Sequence, residues 1–168
     1  MELWDLYDSQ RRPLHRTHMR GVPMQKGEYH VVVFVWILNS RGELLLTKRS
    51  PEKEAYPNVW AVTGGSAIAG ETSLQAITRE LFEETGIRAA ESELVFLKTF
   101  ERATSFSDTY LLQKDVPLEE IVLQEGETCD ARWVGRRVFE EMVKRGEIAL
   151  PDAERYKGLP RRFYDLFR

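Results

Sequence analysis

The sequence predicts an α/β fold, a mixed β-sheet with helices packed on it. Short β-branched and aromatic runs alternate irregularly with amphipathic segments along the 168 residues, the pattern of a sheet covered by helices. The stretch His30 to Leu38, with Val31, Val32, Val33, Val35 and Ile37, reads as a central strand buried on both faces. Thr72 to Gly86 carries its apolar residues at helical spacing.

Taken in order, Glu2 to Asp8 mixes polar and apolar residues in near alternation, a half-buried strand. Residues 9 to 29 are polar, hold Pro13, Gly21, Pro23 and Gly27, and are expected to be irregular with at most one short strand. Asn39-Ser40-Arg41-Gly42 is a turn signal, and Glu43 to Lys48 returns from it as the second strand of a hairpin. Pro51 and Pro57 bracket a loop, and Val59 to Val62 is a short strand running into Gly64-Gly65. Thr72 followed three residues later by Gln75 is a capping-box start. Leu74, Ile77 and Leu81 then form one apolar stripe, and Gly86 is the stop. Leu94 to Phe100 and Thr109 to Leu112 are expected strands joined by a loop around Ser105 to Asp108. Ala131 to Val134 is another strand, Arg136 to Arg145 a helix ended by Gly146, and the tail from Pro151 is helical with a break near Gly158-Leu159-Pro160.

This organisation suggests one domain over residues 1–168: a core over about 28–148, an N-terminal extension 1–27 and a helical tail 149–168. With 24 basic and 27 acidic residues the net charge is -3, so no basic surplus exists to hold a nucleic-acid duplex. The single cysteine, Cys129, excludes an internal disulfide and a cysteine-based zinc site; without a basic neighbour it is expected to be a small buried residue. Met1 to Asp5 lacks the basic end and apolar run of a secretory leader. The longest apolar run, Val31 to Leu38, is too short for a membrane helix. The expected location is the cytoplasm. The N-terminal strand is equally suited to pairing with a second subunit, as a homodimer, or with its own sheet.

One helix breaks a local rule. Glu80, Glu83 and Glu84 occupy the last two turns of the Thr72 helix, where the macrodipole disfavours negative charge by about 0.3–1 kcal/mol per group. At helical spacing they share one arc and can converge on one point. A solvated acidic face is the competing reading. Clustered carboxylates without His or Cys form a hard-oxygen site suited to Mg²⁺ or Mn²⁺. Gly64 and Gly65, lacking Cβ, let backbone approach the ion or a phosphate, and Arg79 can fix one carboxylate by a bidentate pair.

From Gly65 the sequence reads Gly65-x5-Glu71-x7-Arg79-Glu80-Leu81-x-Glu83-Glu84-x-Gly86-Ile87. This is similar to the signature box of the Nudix hydrolases in every fixed position, an agreement expected by chance well below about once in a million. The resemblance implies the family's Nudix-type α/β/α sandwich and hydrolysis of a nucleoside diphosphate linked to another moiety, with Mg²⁺ or Mn²⁺. It implies Glu80, Glu83, Glu84 and the Gly64 or Gly65 carbonyl as metal ligands, Arg79 as the residue that orients the catalytic carboxylate, and Glu71 as a supporting acid. Family members often add an acid from a later loop as ligand or base; Glu127 is the candidate, Glu125 the second. Glu83, Glu80 or Glu127 is then the base that takes the proton of the attacking water.

Trp4-Asp5, His30, Gly42 to Leu46 and Arg49-Ser50 resemble the isopentenyl-diphosphate isomerase branch of the same superfamily. That branch uses a cysteine just before the box glycine and a metal-binding histidine just after it; this chain has Gly64 and Ser66 there. The likeness therefore implies ancestry more than isomerase chemistry, with His18 and His30 as relics of that metal site or as structural residues. A ligand sensor that kept the fold would not need all the box acids. For a diphosphate substrate, Lys48, Arg49 and Gly64 are the candidate phosphate contacts. Tyr56, Trp60, Phe106 and Tyr110 are candidates to stack a base, though packing is the commoner use of such aromatics. Arg161, Arg162 and Arg168 make a small basic surface patch.

Overall fold

A computed structural model describes residues 1–168. Its centre is β3 (His30–Leu38). One side of β3 pairs in parallel with β8 (Ser105–Gln113) along its full length, from His30↔Ser105 to Leu38↔Gln113. The other side pairs antiparallel with β6 (Thr63–Ser66), from Val32↔Ser66 to Val35↔Thr63. β7 (Val95–Glu101) extends the sheet beyond β8.

The alternation of β3 explains its unbroken apolar run. Val31, Val33, Val35 and Ile37 pack into one cluster with Ile77, Leu81 and Leu112, under helix α1 (Ser73–Thr85). Trp36 and Leu38 face the opposite cluster, with Phe139, Phe163 and Phe167. These come from helices α2 (Arg136–Lys144) and α4 (Arg161–Leu166) and the end of the chain, with α3 (Leu150–Lys157) alongside. Period two thus sends each half of the run to a different helical layer, giving an α/β/α sandwich.

Helix α1 begins as the sequence predicts. Thr72 Oγ1 accepts from Gln75 N at 3.2 Å, and Gln75 Oε1 accepts from Thr72 N at 2.9 Å. Gly86, at φ 73°, closes the helix with its N–H on the Phe82 carbonyl at 2.8 Å.

Three expectations are corrected. The hairpin from Asn39 exists, but β4 (Leu44–Arg49) meets β3 only at Leu38↔Leu44. It then diverges to pair with β5 (Trp60–Ala61) and β9 (Thr128–Val134), and this divergence opens the site. Ser105 to Asp108 is strand rather than loop, and the reversal lies at Arg102–Thr104, where Arg102 N donates to the Ser105 carbonyl at 2.8 Å. Asp108 is tolerated in a buried strand because Arg11 grips it with two N–H groups and Thr99 Oγ1 donates to it at 2.7 Å. Cys129 is exposed, not buried. β9 shifts register between Lys48↔Asp130 and Arg49↔Thr128, so Cys129 is the extra residue of a bulge and has no position on the core face.

Residues 9 to 29 contain one strand, β2 (Pro13–Met19), paired antiparallel with β1 (Leu3–Tyr7). Reciprocal Tyr7–Tyr29 backbone bonds at 2.8 and 2.9 Å and the Arg11–Asp108 pair tie this ribbon to the main sheet. No helix is long and apolar enough to cross a membrane.

Candidate functional site

Because α1 packs across β3 and β6, its last two turns stand beside Gly64 and Gly65. Between them lies a cleft of about 390 Å³ lined by Gly64, Gly65, Glu80, Glu83, Glu84 and Glu127, with Arg20, Arg49 and Lys53 on the same walls. Gly64 is sterically required, and Gly65 leaves room for an acid. A Cβ at Gly65 would fall onto the Glu80 carboxylate, and one at Gly64 onto the Val33 carbonyl and the Phe34 ring.

Arg79 organises the acids. Its Nε and Nη2 donate to the two oxygens of Glu71 at 2.7 and 2.9 Å, and Nη2 also to the Ser66 carbonyl at 3.0 Å. Its Nη1 donates to Glu80 at 2.8 Å and to Glu83 at 3.2 Å. The bidentate partner is therefore Glu71, which also accepts from Ile68 N at 3.0 Å, while Glu80 and Glu83 each receive one bond. The fork ties the 66–71 loop to the helix and sets the Glu80 rotamer.

Glu84 has no cationic partner. Its carboxylate accepts only from Gly64 N, at 3.4 Å. Burial first, and then the charge of Glu80, push its proton affinity up to about 8. Burial also raises the Glu80 carboxyl, against the opposing pull of Arg79.

The three helix acids share the cleft but do not converge on one point. Arg79 draws Glu80 and Glu83 one way, and Gly64 N draws Glu84 another. The donor set nonetheless fits a hard divalent cation: carboxylates without His or Cys, one of them half-buried with no ion-pair partner, beside a backbone stripped of Cβ atoms.

Glu127 reaches the cleft from the turn before β9, ion-paired to Lys53. Glu125 does not line the cleft. Of the two cations at the end of β4, Arg49 faces the cleft, and its guanidinium closes the adjoining loop by donating to the Ala55 carbonyl at 3.0 and 2.8 Å and to Tyr56 at 3.2 Å. Lys48 does not line the cleft, a correction that follows from strand alternation, since Thr47 and Arg49 take the inner face.

A second, smaller cavity of about 160 Å³ shares Phe34, Arg49, Gly64, Glu84 and Glu127 with the cleft. At its base Arg155 Nη1 donates to Asp152 at 2.8 Å, and the other Asp152 oxygen accepts from Val62 N at 3.1 Å. The Arg155 guanidinium lies 3.5 Å from the centre of the Phe34 ring. Burial pushes the Asp152 carboxyl up and the Arg155 guanidinium down.

Sequence reasoning missed Arg20, Lys53, Asp152 and Arg155. The one available signal is the Asp152–Arg155 spacing on a short helix, which permits a pair but does not show that it is buried. Tyr56 lies at the rim of the second cavity. Trp60 stacks under Arg132 at 4.3 Å, Phe106 on Tyr29 at 4.9 Å, and the Tyr110 hydroxyl bonds Ser73 at 2.7 Å, so these three serve packing. His30 stacks on Trp4 at 4.0 Å, and His18 Nε2 bonds the Val22 carbonyl at 2.8 Å; neither lines the cleft. Arg161 stands 3.8 Å from Asp165, Arg162 donates to the Phe96 carbonyl, and the Arg168 carbonyl accepts from Arg136 N at 2.6 Å.

Known proteins share this architecture. The family model described as NUDIX domain matches residues 28–154. Over 149 residues the chain is 40% identical to an uncharacterised Nudix hydrolase of Listeria monocytogenes, spanning 88% of each. A crystal structure of a Deinococcus radiodurans protein superposes with a TM-score of 0.79 at 25% identity, over 95% of this chain and 100% of that one. An isopentenyl-diphosphate Delta-isomerase of Pectobacterium atrosepticum is 41% identical over 96 residues, 56% of this chain and 48% of its own length.

Proposed function

The chain belongs to the Nudix hydrolases, and from that premise we propose that it cleaves a phosphoanhydride bond in a nucleoside diphosphate linked to another moiety, by water attack at phosphorus, with Mg²⁺ or Mn²⁺. The observation that carries this reading is one cleft lined by the helix acids Glu80, Glu83 and Glu84 together with Glu127 and Glu2, and by the cations Arg20, Arg49, Lys53 and Arg79. Such a cleft would suit an anionic ligand accompanied by a divalent ion.

Glu80, Glu83, Glu84 and the Gly64 or Gly65 carbonyl would hold the ion. An ion held there would supply charge neutralisation on the diphosphate and would make a water easier to deprotonate. Arg49 and Lys53 bind phosphate oxygens and orient the bridge. Glu83, the most exposed of the box acids and held by Arg79 through one bond of 3.2 Å, is the favoured acceptor of the water's proton. Glu127 is the alternative acceptor, once substrate competes for its Lys53 partner. Arg79 touches no reacting atom in this scheme and is a positioning residue.

The isomerase alternative has less support. The positions flanking Gly65 are Gly64 and Ser66, and the one cysteine sits on the β9 bulge. The test is a screen of nucleoside diphosphate derivatives and isopentenyl diphosphate, with Mg²⁺, with Mn²⁺ and with chelator. Phosphate-containing products that require metal are expected. Turnover unaffected by chelator, or an isomer formed without phosphate release, would overturn the reading.

A further inference from the structure

The N-terminal ribbon reaches the acid cleft, although residues 1–27 lie outside the stretch that matches the NUDIX domain. One edge of β1 pairs with β2. The other meets the turn between β6 and α1, which ends on Glu71. There the Leu3 carbonyl accepts from Ala69 N at 2.8 Å, and Asp5 Oδ2 accepts from Gly70 N at 2.8 Å. Ile68 N, the donor before them, is taken by Glu71 itself at 3.0 Å. Successive N–H groups of one turn are thus held by Glu71 from the helix side and by Leu3 and Asp5 from the ribbon side. Gly70 sits at φ 88°, and no atom lies within 4 Å of the place a Cβ would take. Glycine is free to leave that conformation and no packing restrains it, so the hydrogen bond from Asp5 is what fixes it.

The turn matters because of what Glu71 does next. Both its oxygens accept from Arg79, at 2.7 and 2.9 Å, and Arg79 Nη1 then holds Glu80 at 2.8 Å and Glu83 at 3.2 Å. A guanidinium is a rigid fork, so a displaced Glu71 turns the plane that aims the two helix acids. Docking the ribbon does not depend on Asp5. The Arg11–Asp108 pair, the reciprocal Tyr7–Tyr29 bonds and the Trp4–His30 stack already hold it on the sheet. Asp5 spends its carboxylate on the Gly70 amide instead.

We propose that Asp5 is a positioning residue of the cleft: by holding Gly70 N it fixes the turn that carries Glu71, and through Arg79 it sets Glu80 and Glu83 for a divalent cation. Asp5 does not line the cleft and touches no reacting atom. The consequence for metal affinity rests on the metal-dependent reading of the cleft, whereas the state of the Arg79 fork is measurable without metal or turnover.

The test compares the full chain with Asp5→Ala, with Asp5→Asn, which keeps an acceptor oxygen, and with Arg16→Ala, which removes the ribbon's pair with Glu28 and leaves the turn alone. The first readout is solvent exchange of the Arg79 Nε–H by NMR in chelator. Asp5→Ala should speed it about tenfold, the scale of one hydrogen bond to a charged group, while the other two variants match the parent. The second is calorimetric titration with Mn²⁺. Asp5→Ala should weaken binding about five- to tenfold, at or below the low end for residues that orient metal ligands, and Asp5→Asn should restore it. Thermal melts verify the fold. Gly70→Ala, strained at its φ, attacks the same bond from the turn and should act in the same direction, which keeps the test decisive if Asp5→Ala does not fold. Parent-like exchange or parent-like Mn²⁺ affinity in Asp5→Ala, failure of Asp5→Asn to rescue, or the same changes in Arg16→Ala overturns the proposal. A parent protein that takes up no Mn²⁺ sinks the metal reading, and the exchange result then decides by itself whether Asp5 positions Arg79.

Discussion

Glu84, the one helix acid without an ion-pair partner, offers the sharpest test of the cleft's electrostatics. Replacing it by Gln keeps the shape and removes the charge. In the folded protein its carboxyl is raised from 4.5 to about 8. That is about 3.5 decades in proton affinity, at about 1.36 kcal/mol each, for a ceiling of about 5 kcal/mol. Buried sites relax, so about 2–4 kcal/mol is the expected effect. Below about pH 4.5 both folded and unfolded states are protonated and no penalty exists. As pH rises through that value the unfolded chain ionises first, so stability falls until about pH 8 and is level beyond it. Urea unfolding in chelator at about pH 5, 7 and 9 should therefore show Glu84→Gln gaining steadily on the parent protein. Adding Mg²⁺ should narrow or reverse the difference, because binding stabilises only the chain that keeps its ligand. If the two proteins in chelator stay equally stable from about pH 5 to 9, Glu84 does not carry a penalised charge and the account of the cleft is wrong.

Further perturbations probe other parts of the molecule. Glu83→Gln should lower kcat at least about 100-fold with a smaller change in KM, as for a group acting mainly in the transition state; steady-state kinetics on the substrate found by the screen will decide. Arg79→Lys breaks the fork on Glu71 and the bond to Glu80 and should cost about 10–100-fold in activity while raising the Mg²⁺ needed for half-activation; an unchanged metal requirement would deny its positioning role. Burial holds the His30 imidazole down at about 4 instead of 6.5, so its contribution is complete above about pH 6.5 and lost as pH falls through about 4. His30→Phe should remove up to about 3 kcal/mol of acid sensitivity between about pH 7 and 4 in denaturant melts. Asp152→Asn leaves Arg155 buried without its counter-charge and should destabilise by about 3–5 kcal/mol, visible as a lower Tm.

Wherever period and local chemistry govern, the sequence was a sufficient guide. The Thr72–Gln75 box, the Gly86 stop and the acids of α1 were all readable, because a helix of this length sets its faces by its own 3.6-residue repeat. Gly64 and Gly65 were readable as places of close backbone approach, though not that the approaching groups would be the Glu80 carboxylate and the Phe34 ring. The Ser105–Asp108 strand was hidden because the group that makes Asp108 bearable is Arg11, almost a hundred residues earlier. Cys129 and Lys48 were misplaced for the same kind of reason: a bulge and a choice of inner face are fixed by the partner strand, not by the strand itself.

What the sequence alone determined is the chemistry of one helix and the turn before it, since those groups meet through bonds and short-range geometry. Only the tertiary structure decided what joins them: the divergence of β4 from β3, the cations Arg20 and Lys53, and the buried Asp152–Arg155 pair at the base of the smaller cavity. Those groups come from separate segments, and no local pattern encodes an encounter that exists only after the sheet has formed and the C-terminal helices have closed on it.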